Sequence, residues 1–386
     1  MRRPLLVIFL TVFVNLIGFG IIIPLLPFYA ETFGAAPLTI GLLFAAYSLS
    51  QLLASPVLGD LSDRWGRRPI LLFSLLGTVV SFVMLALAHS LWLLFVARIV
   101  DGLSGGNIST AKAYIADITE PENRAKAYGL IGAAFGLGFI LGPALGGLFS
   151  LISYTAPIWA AAIITLVATA LAWIWLPETV HRGTAGGPSP FRALPDLLRR
   201  SGLRTLLGAD FLYWFAFAVY QTTFALFGEA RFAFNVAETG YFLAGFGALG
   251  VVVQVAMVGP MVKHLGERKT LIAGLLFGAL GLASATWVSS ALAFAVTLVP
   301  AAIGVGLCNP TLSALLSHAA RPEEQGRVQG GAASLESLGR TLGPVWGNGA
   351  LERFNAGMAY DSAAIVLLVT AVLAVAYRPL RADRVG

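Results

Sequence analysis

The chain has 386 residues, of which 58% are hydrophobic and only 11% are charged, and its mean hydropathy is +0.82. Because a soluble domain carries about 25% charged residues, 25 basic and 19 acidic side chains are too few to cover a soluble protein of this length. The single cysteine, Cys308, excludes an intramolecular disulfide and a cysteine-cluster metal site. The sequence contains no phosphate-binding loop, hydrolase elbow or zinc-protease motif. We therefore predict a polytopic membrane protein that is not an enzyme and holds no cofactor or metal.

Twelve apolar stretches follow one another along the chain, separated by loops that contain charges, proline or glycine. A bilayer span needs about 20 apolar residues, and the first run is too long to be the apolar region of a signal peptide. The polar segment 181–203 is interpreted as a cytoplasmic linker between two six-helix halves, residues 1–180 and 204–386. The predicted spans of this all-α chain are residues 5–30, 38–59, 69–88, 91–117, 124–149, 154–176, 204–229, 237–262, 269–288, 290–319, 325–350 and 359–377.

The basic residues are distributed unevenly between the two sides of this topology. Of the 25, 20 lie in the N-terminal tail, the loops after even-numbered spans and the C-terminal tail, and only two lie on the opposite side. The positive-inside rule then places both termini in the cytoplasm of a multi-pass protein in the cytoplasmic (inner) membrane. The formal charge of +6 is thereby explained by topology and does not indicate a nucleic-acid partner.

The two halves contain similar motifs at nearly constant separation. Gly59–Arg68, after the second span, matches Gly259–Arg268, after the eighth, at an offset of 200 residues. Leu141–Pro143 in the fifth span matches Leu342–Pro344 in the eleventh at an offset of 201. Near-equal offsets at equivalent places predict a duplicated six-span unit. Such a duplication suits a transporter that rocks about a site near the midplane of the bilayer.

The loop after the second span predicts a cytoplasmic gate. Its two glycines permit a tight turn, and Asp63 is expected to accept hydrogen bonds from backbone N–H groups at a helix start. Either Arg67 or Arg68 can pair with Asp117 at the cytoplasmic end of the fourth span, which would latch one conformation. The alternative is that the arginines only anchor the topology. The gate residues are Gly59, Asp63, Arg64, Gly66, Arg67, Arg68 and Asp117.

The pattern Gly59-x-x-x-Asp63-Arg64-x-Gly66-Arg67-Arg68 resembles the signature loop of the major facilitator superfamily, specifically its twelve-span drug:proton antiporters. The resemblance covers essentially the whole chain. It implies the major facilitator fold, with twelve transmembrane helices in two pseudo-symmetric six-helix bundles. It also implies a transporter that exchanges a small-molecule substrate for protons.

Gly138, Gly142 and Gly146 lie on one face of the fifth span, and Pro143 adds a kink. Small residues at this spacing let another helix approach closely. The segment is similar to the motif that marks antiporters in the superfamily. The resemblance implies that this antiporter helix packs between the two halves and limits ion leak.

Four charges lie near the middle of predicted spans, where an ionisable residue usually marks a pathway or a proton site. Arg98 and Asp101 are three residues apart on the fourth span, so they share a helix face and can pair. Asp101 lies about 15 Å from the start of that span at about 1.5 Å per residue. Glu336 and Arg340 are one turn apart in the eleventh span. We predict Asp101 as the leading proton carrier and Glu336 as the second; the alternative is two structural ion pairs.

Polar and aromatic side chains in four other spans and deeper in the fourth predict a substrate cavity. The resemblance implies that the first, fourth, seventh and tenth spans line it. The aromatic residues recur at helical spacing in the seventh span and would suit flat apolar substrates, although the same stripe could instead face lipid. The predicted cavity residues are Asn15, Gln51, Asn107, Tyr213, Phe217, Tyr220, Gln221 and Asn309.

Two segments resemble the tetracycline efflux branch in particular: Gly18–Pro27, and Glu229-Ala-Arg231. That branch has acidic residues in its first and third spans where this chain has Asn15 and Ser81. A histidine of its eighth span is replaced by Gly250, and the ninth span of this chain contains no carboxylate.

These differences make Asp101 the alternative proton carrier. We therefore predict a proton-coupled antiporter that exports small amphipathic organic compounds, including tetracycline-like ones, by alternating access. One alternative is a sugar or metabolite exporter of the same fold. An alternative of a different class is a non-transporting membrane sensor or a channel.

Overall fold

The computed structural model describes residues 3–105, 107–120, 124–179, 190–321 and 324–377, which form fifteen α-helices. In chain order the helices are α1 (Arg3–Glu31), α2 (Pro37–Trp65), α3 (Arg67–Ala86), α4 (Leu91–Ser104), α5 (Asn107–Ile118), α6 (Arg124–Ser150), α7 (Ala156–Trp175), α8 (Pro190–Arg199), α9 (Ser201–Phe232), α10 (Val236–Ala256), α11 (Val258–Leu265), α12 (Glu267–Ala285), α13 (Ala291–His318), α14 (Gln325–Arg353) and α15 (Ala356–Ala376).

Ten helices in these described ranges are long and apolar enough to cross a membrane. They match every predicted span except the fourth and the eleventh. The fourth is divided between α4 and α5, each shorter than a full span. The eleventh is a single helix of 29 residues, α14, but Arg327, Glu336 and Arg340 make it less apolar than the others. The two remaining spans are therefore the ones that carry the predicted interior charges.

The prediction of one continuous helix over residues 91–117 is wrong, because α4 ends at Ser104 and α5 begins at Asn107. Gly105 lies at the break, where its freedom of backbone rotation makes continuing the helix costly. A helix break leaves backbone carbonyls that other groups must satisfy. The Gln51 amide of α2 donates to the Gly105 carbonyl over 2.9 Å, which supplies the hydrogen bond that a backbone group in a membrane requires.

The eighth predicted span is also divided, at Met257, between α10 and α11. Pro260 explains the position, because a proline ring collides with the carbonyl four residues earlier, which here is that of Ala256, the last residue of α10. The predicted linker 181–203 contains a helix, α8, and the following helix starts at Ser201. Residues 181–189 of the linker lie outside the described residues.

The described helices form two compact units. Unit 1 comprises α1 to α7 with the end of α9 from Phe224 and α10 as far as Ala248. Within it, Gly240 of α10 approaches α6 so closely that an added Cβ would lie 2.9 Å from the Cα of Gly147. Unit 2 comprises α8, the rest of α9 and α10, and α11 to α15. The division into residues 1–180 and 204–386 remains a prediction.

Candidate functional site

A buried ion pair lies in the middle of α4, in unit 1. The Arg98 side chain is completely buried, and its Nη1 donates to Asp101 Oδ2 over 2.7 Å. The guanidinium carbon lies 4.3 Å from the ring centre of Tyr47 on α2, within cation–π range. The predicted pairing of Arg98 with Asp101 is thus confirmed.

The Arg98 guanidinium is only partly satisfied. Within the described part of the chain, its Nε and Nη2 are buried without a hydrogen-bond acceptor. The predicted cavity residue Asn107 begins α5 nearby in sequence, but its side chain lies outside the described residues. A buried ion pair that keeps spare donors is costly to hold in place, so it is a site where a ligand group or a proton changes the energy strongly.

A second charged cluster lies at the contact of α9 and α14, in unit 2. Arg340 Nη2 is 3.5 Å from Glu336 Oε1, which confirms the predicted pair, and each side chain is 27% exposed. The Arg340 guanidinium carbon lies 5.4 Å from the ring centre of Trp214 on α9. Asp210, one turn before Trp214, is only 5% exposed, and the negative charge of Glu336 acts on it.

Sequence reasoning missed Asp210. It lies six residues inside the predicted seventh span and has no basic residue three or four positions away along the helix, so helical spacing gives it no charged partner. The available signal was an acidic residue inside an apolar span, which by itself marks a candidate site.

Close helix packing fixes this second cluster. An added Cβ at Gly339 would lie 2.9 Å from the Phe215 nitrogen, and one at Gly343 would lie 2.6 Å from the Phe215 carbonyl oxygen. Gly347, a further turn along α14, meets Val219 in the same way. The backbones of α9 and α14 are therefore in direct contact, one turn from Glu336 and Asp210.

The predicted antiporter helix makes the equivalent contact in unit 1. Gly138, Gly142 and Gly146 lie against α1, where an added Cβ at Gly142 would be 2.6 Å from the Cα of Gly20. The same helix also meets α10, which belongs to the other six predicted spans: an added Cβ at Gly240 would lie 2.5 Å from the Pro143 carbonyl oxygen, and one at Gly247 would lie 2.8 Å from that of Phe139. The role of this helix in limiting ion leak stays a prediction. Pro143 lies within α6 without ending it.

The cytoplasmic gate residues form a connected network in unit 1. Arg67, the first residue of α3, pairs with Asp63 on the last turn of α2 and places its Nε 3.3 Å from Asp117 Oδ2 at the end of α5. Of the two arginines considered for Asp117, Arg67 is the partner. Arg68 instead donates to the Trp173 carbonyl of α7 over 2.6 Å. These bonds connect neighbouring ends of four helices, α2, α3, α5 and α7.

Two details of the predicted loop are corrected. Gly59 lies within α2, which continues to Trp65, so only Gly66, at φ 110°, makes the turn. Asp63 does not cap α3. Glu178, just after α7, does so by accepting the backbone N–H of Arg67 over 2.9 Å.

Glu178 was missed because it lies far away in sequence; its position just after the sixth span, on the same predicted side as the loop, was the available signal. Arg64 pairs with the exposed Asp60 over 3.0 Å.

The equivalent loop in unit 2 repeats part of this network. Gly266 again makes the turn at a positive φ, of 78°. Arg268 donates to the Ala374 carbonyl of α15 over 2.9 Å, as Arg68 does to Trp173. The ion pair is reversed in sign, because Glu267 Oε2 lies 3.0 Å from His318 Nδ1 where unit 1 has Arg67 and Asp117.

The predicted cavity residues that the structure describes have different surroundings. Gln51 is bonded to the helix break, Asn309 is exposed on α13, and Asn15 is half-buried on α1. The aromatic stripe packs within unit 2: Tyr213 and Tyr220 are each 3% exposed.

The rings of the stripe also contact one another and α15. Tyr213 stacks on Phe217, and the ring of Tyr220 meets that of Tyr360 on α15 at 5.7 Å. Gln221 is buried as well. The stripe therefore packs largely against other helices of unit 2, and its role in a substrate cavity stays a prediction.

Comparison with known proteins agrees with this architecture. The Major Facilitator Superfamily model matches residues 8–344 and 231–385. Tetracycline resistance protein class G of Vibrio anguillarum is 37% identical, with 89% of each chain covered. Multidrug resistance protein 2 of Bacillus subtilis is 29% identical over 99% of this chain and 97% of its own. The crystal structure of the human organic anion transporter MFSD10 has a TM-score of 0.75 and 26% identity, covering 97% of this chain and 99% of that one. The chain therefore belongs to the major facilitator superfamily, in the group that includes the tetracycline resistance proteins.

Proposed function

We propose that the protein is a proton-coupled antiporter that exports small amphipathic organic compounds, tetracycline-like molecules among them, by alternating access. It works as a transporter and not as an enzyme. It lies in the cytoplasmic membrane with both termini in the cytoplasm, and its basic residues serve topology and gating, not nucleic-acid binding. The observation that supports this proposal most directly is the buried Arg98–Asp101 pair beside the break between α4 and α5.

The pair can couple a proton to a substrate. When Asp101 accepts a proton, it loses its charge and its bond to Arg98 weakens, which leaves a buried cation held by the Tyr47 ring. A substrate group that donates to the ionised Asp101 carboxylate favours the unprotonated state, so the substrate and the proton disfavour each other's binding. Because binding free energies are reciprocal, a proton on Asp101 changes the affinity for the substrate by the same factor. Exchange of one for the other follows from this linkage.

The gate network supports the alternating cycle. Arg67 bridges Asp63 and Asp117, so the cytoplasmic ends of α2, α3 and α5 are held together when these bonds are made. Exposed ion pairs of this kind contribute only about 0–1 kcal/mol each. That magnitude suits a latch that must open in every cycle.

The test is transport in proteoliposomes with an imposed pH gradient, using tetracycline and ethidium as substrates and glucose as a sugar. The wild-type protein should move tetracycline against its gradient while dissipating the pH gradient. A sugar exporter would respond to glucose instead, and a channel would pass substrate without counter-movement of protons.

The decisive variant is Asp101→Asn. It should reduce gradient-driven tetracycline transport to the level of protein-free liposomes while leaving movement down a tetracycline gradient. Asp60→Asn is the matched control, because it makes the same change on an exposed residue of unit 1. Retained proton coupling in Asp101→Asn would contradict the assigned role.

A further inference from the structure

Asp210 is a buried carboxylate without a cationic partner of its own. Its side chain is 5% exposed, and no described basic residue forms a salt bridge to it. The charged group that acts on it is Glu336, which has the same sign. Arg340 pairs with Glu336, so the cluster contains two carboxylates and one guanidinium. With both carboxylates ionised, one negative charge would lie uncompensated inside a helix contact, which is costly in a membrane.

The groups that face Asp210 come from three helices. Glu336 of α14 acts on Asp210 and carries Arg340 as its own partner, Tyr213 lies three residues further along α9, and Cys308 of α13 acts on Tyr213. None of them is a second cation. A bound proton is therefore the simplest means by which this cluster reaches neutrality.

Packing does not require these charges, because unit 1 builds the same helix contact without them. Gly142 meets the Ile17 carbonyl of α1 as Gly343 meets the Phe215 carbonyl of α9. The helices α1 and α9 thus correspond at an offset of 198 residues, and α6 and α14 at 201. At these offsets the counterparts of Asp210, Glu336 and Arg340 in unit 1 are Val12, Phe135 and Phe139. An apolar set fills the same place in unit 1, so the charged set in unit 2 is present for another reason.

We propose that Asp210, together with Glu336 and Arg340, forms a second proton-binding site, in which Asp210 holds one proton while the α9–α14 contact is closed. When water reaches the cluster, the proton leaves an Asp210 oxygen for water, and Arg340 then neutralises one of two ionised carboxylates in a hydrated setting. One proton is bound and one is released, and no other bond changes. The inference rests on the proposed antiport, because it supplies a second proton carrier to that cycle.

The test reads protonation directly and needs no substrate, so its failure is distinguishable from a failure of transport. Purified protein is studied by infrared spectroscopy at neutral pH, where a protonated carboxyl gives a C=O stretching band that a carboxylate lacks. The variants are Asp210→Asn and Arg340→Gln, each normalised to the amide band. Asp361→Asn is the control, because it makes the same change on another membrane helix of unit 2, where Asp361 accepts a hydrogen bond from Thr286.

In Asp210→Asn the C=O band of protonated carboxyl groups should lose the intensity of one group. In Asp361→Asn the intensity of that band should not change. Arg340→Gln should gain about one carboxyl, because Glu336 then loses its partner and takes up a proton as well. This second variant adds a signal and so does not depend on how well the first one folds. An unchanged band in Asp210→Asn, or a loss confined to Asp361→Asn, would overturn the proposal.

Discussion

Replacing Gly142 with alanine tests whether the direct contact of α1 and α6 sets the geometry of unit 1. The added methyl would lie 2.6 Å from the Cα of Gly20 and 2.9 Å from the Ile17 carbonyl oxygen. Both atoms belong to the backbone, so no side-chain rotation relieves the overlap. Since ordinary contacts begin at 3.4 Å, the two helices must separate by about 0.8 Å.

Overpacking of this kind costs about 1–3 kcal/mol, and alanine returns about 1 kcal/mol through its higher helix propensity. Gly142→Ala should therefore lower the midpoint of thermal unfolding in detergent. The matched control is Gly132→Ala on the same helix, where an added Cβ meets no atom within 4 Å and only the propensity gain applies. An equal fall of the midpoint in both variants would refute the reasoning, because the close contact would then not be the cause.

Two further predictions concern ion pairs at the ends of helices in unit 2. Glu267→Arg should impair transport, because it places an arginine beside His318. Adding His318→Asp should restore transport, because an acidic residue then faces the arginine. Transport rates of the two single variants and of the double variant check this. Arg200 donates two hydrogen bonds, of 2.7 and 2.8 Å, to Glu324, which lowers the pKa of that carboxyl. The pair stabilises the folded protein above the ordinary pKa of a glutamate, and this stabilisation is lost as the pH falls through the lowered pKa of Glu324. Acid should therefore lower the thermal unfolding midpoint of the wild type more than that of Arg200→Gln.

Most of the helices follow from the hydrophobic pattern, since runs of about 20 apolar residues have few alternatives in a membrane. The two divided spans did not follow, because their breaks depend on single residues. At the first break, Gln51 of another helix donates to the Gly105 carbonyl, a contact that local sequence does not reveal. Pro260 ends α10 at Ala256 because its ring collides with the carbonyl of that residue. A proline is visible in the sequence, but the apolar residues on both sides of it favoured a single span.

The candidate sites were predictable where the partners lie on one helix. Arg98 with Asp101, and Glu336 with Arg340, are three and four residues apart, and spacing alone identifies them. Asp210 and Glu178 act on residues of other helices, so their roles depend on tertiary packing that no single stretch of sequence reveals.

The two units keep the same backbone contacts and differ in their charges, which separates what folding requires from what function requires. The arginine after each turn, Arg68 or Arg268, donates to the carbonyl of the helix that ends each six-span set. A backbone carbonyl is present whatever the side chain, so substitutions on the accepting helix do not remove this contact.

The neighbouring ion pair is held by side chains alone and has been reversed, from Arg67–Asp117 to Glu267–His318. In unit 2 the acidic residue begins the helix after the turn and its partner ends the helix before the next loop, which is the reverse of the order in unit 1. The same logic applies inside the membrane, where unit 1 carries its charges on α4 and unit 2 carries them on α9 and α14. Charges that one unit carries and the other lacks at the corresponding place are not needed for the shared helix packing, so they are the residues at which proton coupling should be tested first.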